Sequence, residues 1–180
     1  TNPIIKATFA DASDALGFDL WALCQNGPES ELNRTENTQP ALLTASVAVY
    51  SLWSKRSGNV PAIMAGHSLG EYSAYVCAGA MQLQDAVRLV RLRGQLMQNA
   101  VPDGVGAMAA ILNGEDELIT RICAQVAENE IVAPANFNSP GQVVISGHKT
   151  AVERALLALK AAGVKRAIVL PVSVPSHCAL

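Results

Sequence analysis

Ala62-Ile63-Met64-Ala65-Gly66-His67-Ser68-Leu69-Gly70-Glu71-Tyr72 is the stretch that decides how this sequence folds. A very short apolar run meets a glycine, turns about one serine and enters a helical pattern from Leu69 to Cys77, closed by Gly79. The order predicts a strand, a sharp turn and a helix, the context in which G-x-S-x-G forces its middle side chain outward. The flanking glycines, Gly66 and Gly70, are expected to let neighbouring elements pack close to that turn. A serine so placed lies at a helix N-terminus, where backbone N–H groups and the helix dipole favour developing negative charge. The N–H of Leu69 is then the natural first donor to an oxyanion. The bland alternative is a Gly-rich turn in which Ser68 only caps the helix.

Outward from this turn the first half reads as mainly helical. Ile4 to Leu16 has apolar residues at helical spacing and stops at Gly17. A polar, irregular stretch is expected from Gln25 to Gln39, with a helical turn at Glu29 to Asn33. Pro40 suits the first residue of a helix running to about Ser54. Another helix is expected from Gln84 to about Asn99, stopped before Pro102. Beyond it the rhythm changes. Ala107–Leu112, Ile131–Phe137, Gln142–Ser146 and Arg166–Leu170 read as strands, Glu115–Glu128 and Thr150–Ala162 as helices, and Asn138-Ser139-Pro140-Gly141 as a turn. That order, β-α-β-β-α-β, is the ferredoxin-like pattern and sets a boundary near Pro102 to Gly106.

Composition removes several function classes. Half of the 180 residues are hydrophobic, enough for a core. The net charge is −2 with no basic block, so nothing suggests nucleic-acid or membrane-surface binding. Cys24, Cys77, Cys123 and Cys178 form neither a CxxC pair nor a metal-ligand spacing, and are expected to be free thiols in a reducing cytoplasm. No signal peptide or membrane-length apolar run is present in the sequence. The opening Thr1-Asn2-Pro3 reads as a helix cap and first turn without an initiator Met, which leads one to expect residues upstream.

Two further residues bear on chemistry. At about 100° per residue, Gln84, Arg88, Arg91, Gln95 and Gln98 share a polar face. Ala86, Leu89, Val90, Leu96 and Met97 lie opposite, with Arg93 in the middle of that apolar arc. A guanidinium on a buried face needs an anion, either a core carboxylate or the carboxylate of a substrate. Periodicity leaves both open, as it does a stem that snorkels outward. Ser68 needs a general base. Of the three histidines, His67 precedes the serine and is expected to point away from it, and His148 suits a surface or capping role before a helix. His177, on an extended segment, is the best remaining choice.

Five blocks together resemble the malonyl-CoA:acyl-carrier-protein transacylase family, including acyltransferase domains of fatty acid and polyketide synthases. They are Thr38-Gln39-Pro40-Ala41-Leu42, Gly66 to Tyr72, Arg93-Gly94 with Met97-Gln98, Asn136 to Gln142, and Pro171 to His177. The stand-alone bacterial type fits best. The resemblance implies a hydrolase-like α/β domain, incomplete here, with an inserted ferredoxin-like subdomain. Residues 1–103 would form the first, 104–172 the second, and 173–180 a return segment carrying the base. It further implies that Ser68 carries malonyl as an ester, His177 is the base, Leu69 N–H holds the oxyanion and Arg93 pairs with the malonyl carboxylate. Malonyl-CoA and acyl carrier protein are the implied partners. No metal or prosthetic group is implied, since the phosphopantetheine belongs to the carrier. The family's N-terminal Gly-Gln-Gly-Ser-Gln motif, with its second oxyanion donor, and its C-terminal strands are not in this sequence, which is therefore expected to be an incomplete copy. The rival expectations are a polyketide-synthase acyltransferase domain, a serine thioesterase or hydrolase, and an inactive fragment that binds carrier protein.

Overall fold

The computed structural model describes residues 2–102, 104–172 and 174–180; Thr1 of the opening cap, Asp103 at the expected boundary and Ser173 of the return segment lie outside the described residues. The chain divides into two compact units, residues 1–96 and 97–180.

The first unit is helical. α1 (Pro3–Leu16) starts where the Asn2 side chain accepts from the Ile4 N–H at 2.9 Å, and it ends at Gly17 with φ +76°. α2 (Leu20–Asn26) was not expected, although its signals are ordinary: the Asp19 carboxylate accepts from the Ala22 N–H at 2.8 Å, and Gly27 closes the helix. The short α3 (Glu29–Leu32) matches the expected turn. α4 (Thr35–Ser57) begins earlier than expected, so Pro40 stands inside it rather than at its first position. There the ring forgoes the bond its own N–H would have made to the carbonyl four residues back, and crowds that carbonyl. Side chains anchor the added turn, with Asn37 Nδ2 donating to Glu31 O at 2.9 Å and Thr38 Oγ1 to Arg34 O at 3.0 Å. α5 (Leu69–Cys77) and α6 (Leu83–Gln98) complete the helices. Phe9, Ala12, Leu20, Leu43, Val47, Ala86, Val87 and Val90 form the buried core, with Trp21 edge-on to Phe9.

The strand expected at 62–65 does not form. No neighbour pairs with it among the described residues, and Ile63 is 86% exposed. An apolar run becomes a strand only when another strand takes its N–H and C=O groups, so composition alone could not decide it.

The second unit has the expected order: β1 (Gly106–Leu112), α7 (Asp116–Val126), β2 (Val132–Ser139), β3 (Gln142–His148), α8 (Lys149–Ala161) and β4 (Arg166–Val169). Its four strands lie in the order β2-β3-β1-β4, each antiparallel to its neighbour. Ala107, Ala109 and Ile111 of β1 and Val143 and Ile145 of β3 alternate onto one face. There they meet Ile119, Ile122 and Cys123 of α7 and Val152, Ala155 and Leu159 of α8. Gly141, with φ +76°, closes the β2–β3 hairpin at the expected turn.

Arg154 ties the two helices of this unit together. Its Nε donates to Val126 O at 3.0 Å, at the C-terminal end of α7, and its Nη1 to Glu130 at 2.8 Å. His148 differs from its expected role. It stands at the N-cap of α8, but its side chain makes no capping bond there. Instead Nδ1 accepts from the Ile131 N–H at 2.8 Å, pinning the start of β2 beside β3. The chain is thus a mixed α/β protein with a small antiparallel sheet.

Candidate active site

The turn at 66–70 is built by one glycine. A Cβ on Gly66 would fall 1.9 Å from the carbonyl carbon of Gly70 and 2.4 Å from the Glu71 N, so only hydrogen fits there. Gly70 is different: among the described residues a Cβ on it meets nothing within 4 Å, and the packing role expected for it is not found there. Gly66→Ala is therefore expected to destabilise the first unit by roughly 3 kcal/mol through overpacking, whereas Gly70→Ala, inside α5 with open space beside it, is expected to be neutral or to stabilise it by up to about 1 kcal/mol. Thermal denaturation of both variants checks the contrast.

Ser68, next inside the turn, has φ +53° and ψ −111°, a conformation that non-glycine residues seldom adopt. Although it occupies the N-cap of α5, its side chain makes no capping hydrogen bond, so the bland reading of the serine does not hold. Its Oγ instead accepts from Arg93 Nη2 at 3.0 Å. Leu69 opens α5, which places its N–H in the first turn, where helix donors have no intrahelical acceptor. His67 is exposed on the same turn.

Arg93 reaches Ser68 from α6, and the helix face differs from the one expected. The buried stripe is Ala86, Val87, Val90 and Gly94; Leu89 and Leu96 are exposed, and Arg93 is half-buried at the stripe's edge. Gly94 explains the rotation. A Cβ there would lie 2.6 Å from Glu36 Cα and 2.7 Å from Thr35 O, so the helix turns its bare side onto the first residues of α4. That contact brings Arg93 Nη1 to 2.6 Å from Oε1 of Gln39, a buried residue of α4, and its guanidinium to 5.8 Å from the Tyr72 ring. Neither Gln39 nor Tyr72 had been given a role from the sequence. Both stand in quoted blocks, but helical spacing cannot show that α4 and α5 converge on Arg93.

His177 belongs to the second unit. It is exposed in a turn with φ +59°, and the segment before it is held down by buried Val174 and Pro175. The Pro175 ring occupies the place a Cβ on Gly106 would take, at 2.4 Å from its Cδ. Burial raises the pKa of the Cys24 and Cys77 thiols and pushes that of Cys123 up to about 11, as expected of unreactive thiols. No group of three or more His, Cys, Asp or Glu among the described residues is arranged to hold a metal ion. No described helix is long and apolar enough to cross a membrane.

A hydroxyl held on a strained turn, at a helix N-terminus and beside a fixed guanidinium, suits serine-dependent transfer of an acyl group that carries an anion. Comparison with known proteins defines the class: residues 5–179 match the acyl transferase domain family, and the chain belongs to it. Among its relatives, the malonyl CoA-acyl carrier protein transacylase of Escherichia coli K12 is 66% identical over 178 residues, covering 99% of this chain and 58% of that protein. The solved malonyl CoA-acyl carrier protein transacylase of Coxiella burnetii is 54% identical with a TM-score of 0.96, over 99% of this chain and 56% of that one. A malonyl-transacylase solved in complex with a type II PKS acyl-carrier protein is 62% identical with a TM-score of 0.95, over 99% of this chain and 58% of that one. The chain thus spans less than three fifths of the length of these relatives.

Proposed function

We propose that the protein transfers malonyl from malonyl-CoA to the phosphopantetheine thiol of an acyl carrier protein, through an ester on Ser68, in cytoplasmic fatty acid synthesis. The observation that carries this reading is the Arg93 guanidinium, 3.0 Å from Ser68 Oγ and held from behind by Gln39. In a malonyl ester the free carboxylate carbon lies three bonds beyond Oγ, about 4 Å away when extended. A guanidinium already touching Oγ is well placed to receive that carboxylate. The named relatives support the choice of malonyl, and the solved complex supports a carrier protein as partner.

In the mechanism this implies, Ser68 Oγ attacks the thioester carbonyl while His177 accepts its proton, and the Leu69 N–H donates to the tetrahedral oxyanion. The carbonyl re-forms, the C–S bond breaks, and the CoA sulfur leaves with the proton from His177. The pantetheine thiol then enters and the same steps run in reverse. Under this reading residues 1–103 belong to a hydrolase-like α/β domain, 104–172 form a ferredoxin-like insertion, and 173–180 return the base toward Ser68. The order of strands and helices in the second unit supports the insertion.

The test is intact-mass spectrometry after mixing the protein, at its natural length, with malonyl-CoA, then peptide mapping and product analysis with carrier protein. A malonyl adduct on Ser68 that passes to the carrier is the expected result. Free malonate in place of malonyl-carrier would make the protein a hydrolase, and no adduct would remove the acyl-enzyme step.

A further inference from the structure

Glu36 lies in the first turn of α4, three residues before Gln39, where α4 meets α6. Its carboxylate is held on both sides: Oε1 pairs with the Arg34 guanidinium, and Oε2 accepts from Gln95 Nε2 at 3.0 Å. Its backbone is the surface against which Gly94 is packed. Gly94 has no side chain and cannot itself resist rotation of α6 about its axis. The residues on either side of it can. Arg93 and Gln95 project about 100° to each flank, one gripping Gln39 and the other Glu36.

We propose that Glu36 is a positioning residue for Arg93: by gripping Gln95 it fixes the rotation of α6 on α4, and with it the placement of the guanidinium beside Gln39 and Ser68. The inference rests on the reading of Arg93 as a carboxylate clamp. The grip is ionic on the α4 side. The Gln95 hydrogen bond, followed by the bond and charge of Arg34 and the charge of Arg91, holds the Glu36 carboxyl below its usual range, although burial opposes this. The side chain is only 17% exposed, so water competes little for Gln95. Without the grip α6 keeps its buried stripe but loses one of its two flanking contacts. A guanidinium that swings by even 1 Å no longer meets a carboxylate fixed to Ser68.

The experiment compares Glu36→Ala and Glu36→Gln in the protein at its natural length. It reads kcat and KM for malonyl-CoA and acetyl-CoA, together with the ¹⁵N NMR signals of the Arg93 guanidinium. Glu36→Ala is expected to raise KM for malonyl-CoA and narrow the malonyl-to-acetyl ratio of kcat/KM by about tenfold each, and to speed rotation of the Arg93 guanidinium. Glu36→Gln, which keeps an acceptor for Gln95, should restore most of both. An unchanged substrate ratio, or unchanged Arg93 signals, in the alanine variant overturns the proposal. If the unsubstituted protein transfers no malonyl, the transferase reading fails, while the guanidinium signals still decide whether Glu36 positions Arg93.

Discussion

Ser68→Ala is expected to remove the malonyl adduct altogether and to lower transfer to carrier protein by roughly four orders of magnitude or more. The substitution deletes one oxygen and leaves the turn intact. Alanine meets the same backbone cost at φ +53° as serine does, and Ser68 makes no capping bond whose loss would weaken α5. The variant does lose the acceptor of the Arg93 hydrogen bond, so stability should fall by about 1 kcal/mol. The combination is diagnostic, because a loss of activity far larger than so small a drop in melting temperature can explain isolates the hydroxyl as nucleophile. The alternative is that Oγ serves only as a partner for Arg93. In that case the alanine variant would retain a malonyl adduct at another residue, and peptide mapping would reveal it. Intact mass and kcat/KM, measured on the same preparation as the melting curve, decide between the two.

How much of this could be read from the sequence follows the range of the interactions involved. Local signals were reliable. Gly17 ends α1 at positive φ as its position suggests, and the β-α-β-β-α-β order of the second unit follows its apolar runs and the turn closed by Gly141. The sequence errors arise where a distant partner decides. Pro40 looked like a helix start because proline favours that place, but the Asn37 and Thr38 side chains anchor a turn before it. Residues 62–65 have strand composition without a strand beside them among the described residues. The buried stripe of α6 is rotated from the expected arc because Gly94, which has no apolar side chain to mark it, is packed directly on α4. The serine turn was legible from five residues, whereas Gln39 and Tyr72 beside Arg93 depend on three helices meeting.

Arg93→Ala is expected to lower kcat/KM for malonyl transfer by about 100- to 1,000-fold while sparing or raising acetyl transfer. Removing one partner of a desolvated, hydrogen-bonded charge pair costs about 2–5 kcal/mol, and each 1.4 kcal/mol is about a factor of ten. For malonyl that cost falls on a carboxylate left without its counter-charge next to Ser68. Acetyl has no carboxylate to lose. Under the proposed function it is instead penalised in the native site, because it brings no carboxylate to the half-buried guanidinium. The change therefore works in opposite directions on the two substrates, which a general loss of folding could not do. Arg93→Lys should fall between them. An ammonium restores the charge, but it cannot span Gln39 Oε1 and Ser68 Oγ as the two guanidinium nitrogens do at 2.6 and 3.0 Å. Competition assays with malonyl-CoA and acetyl-CoA give the ratio directly. Equal losses for both substrates would mean that Arg93 supports the serine turn rather than selecting the acyl group. A reversed preference would mean that the native specificity is set mainly by this one charge.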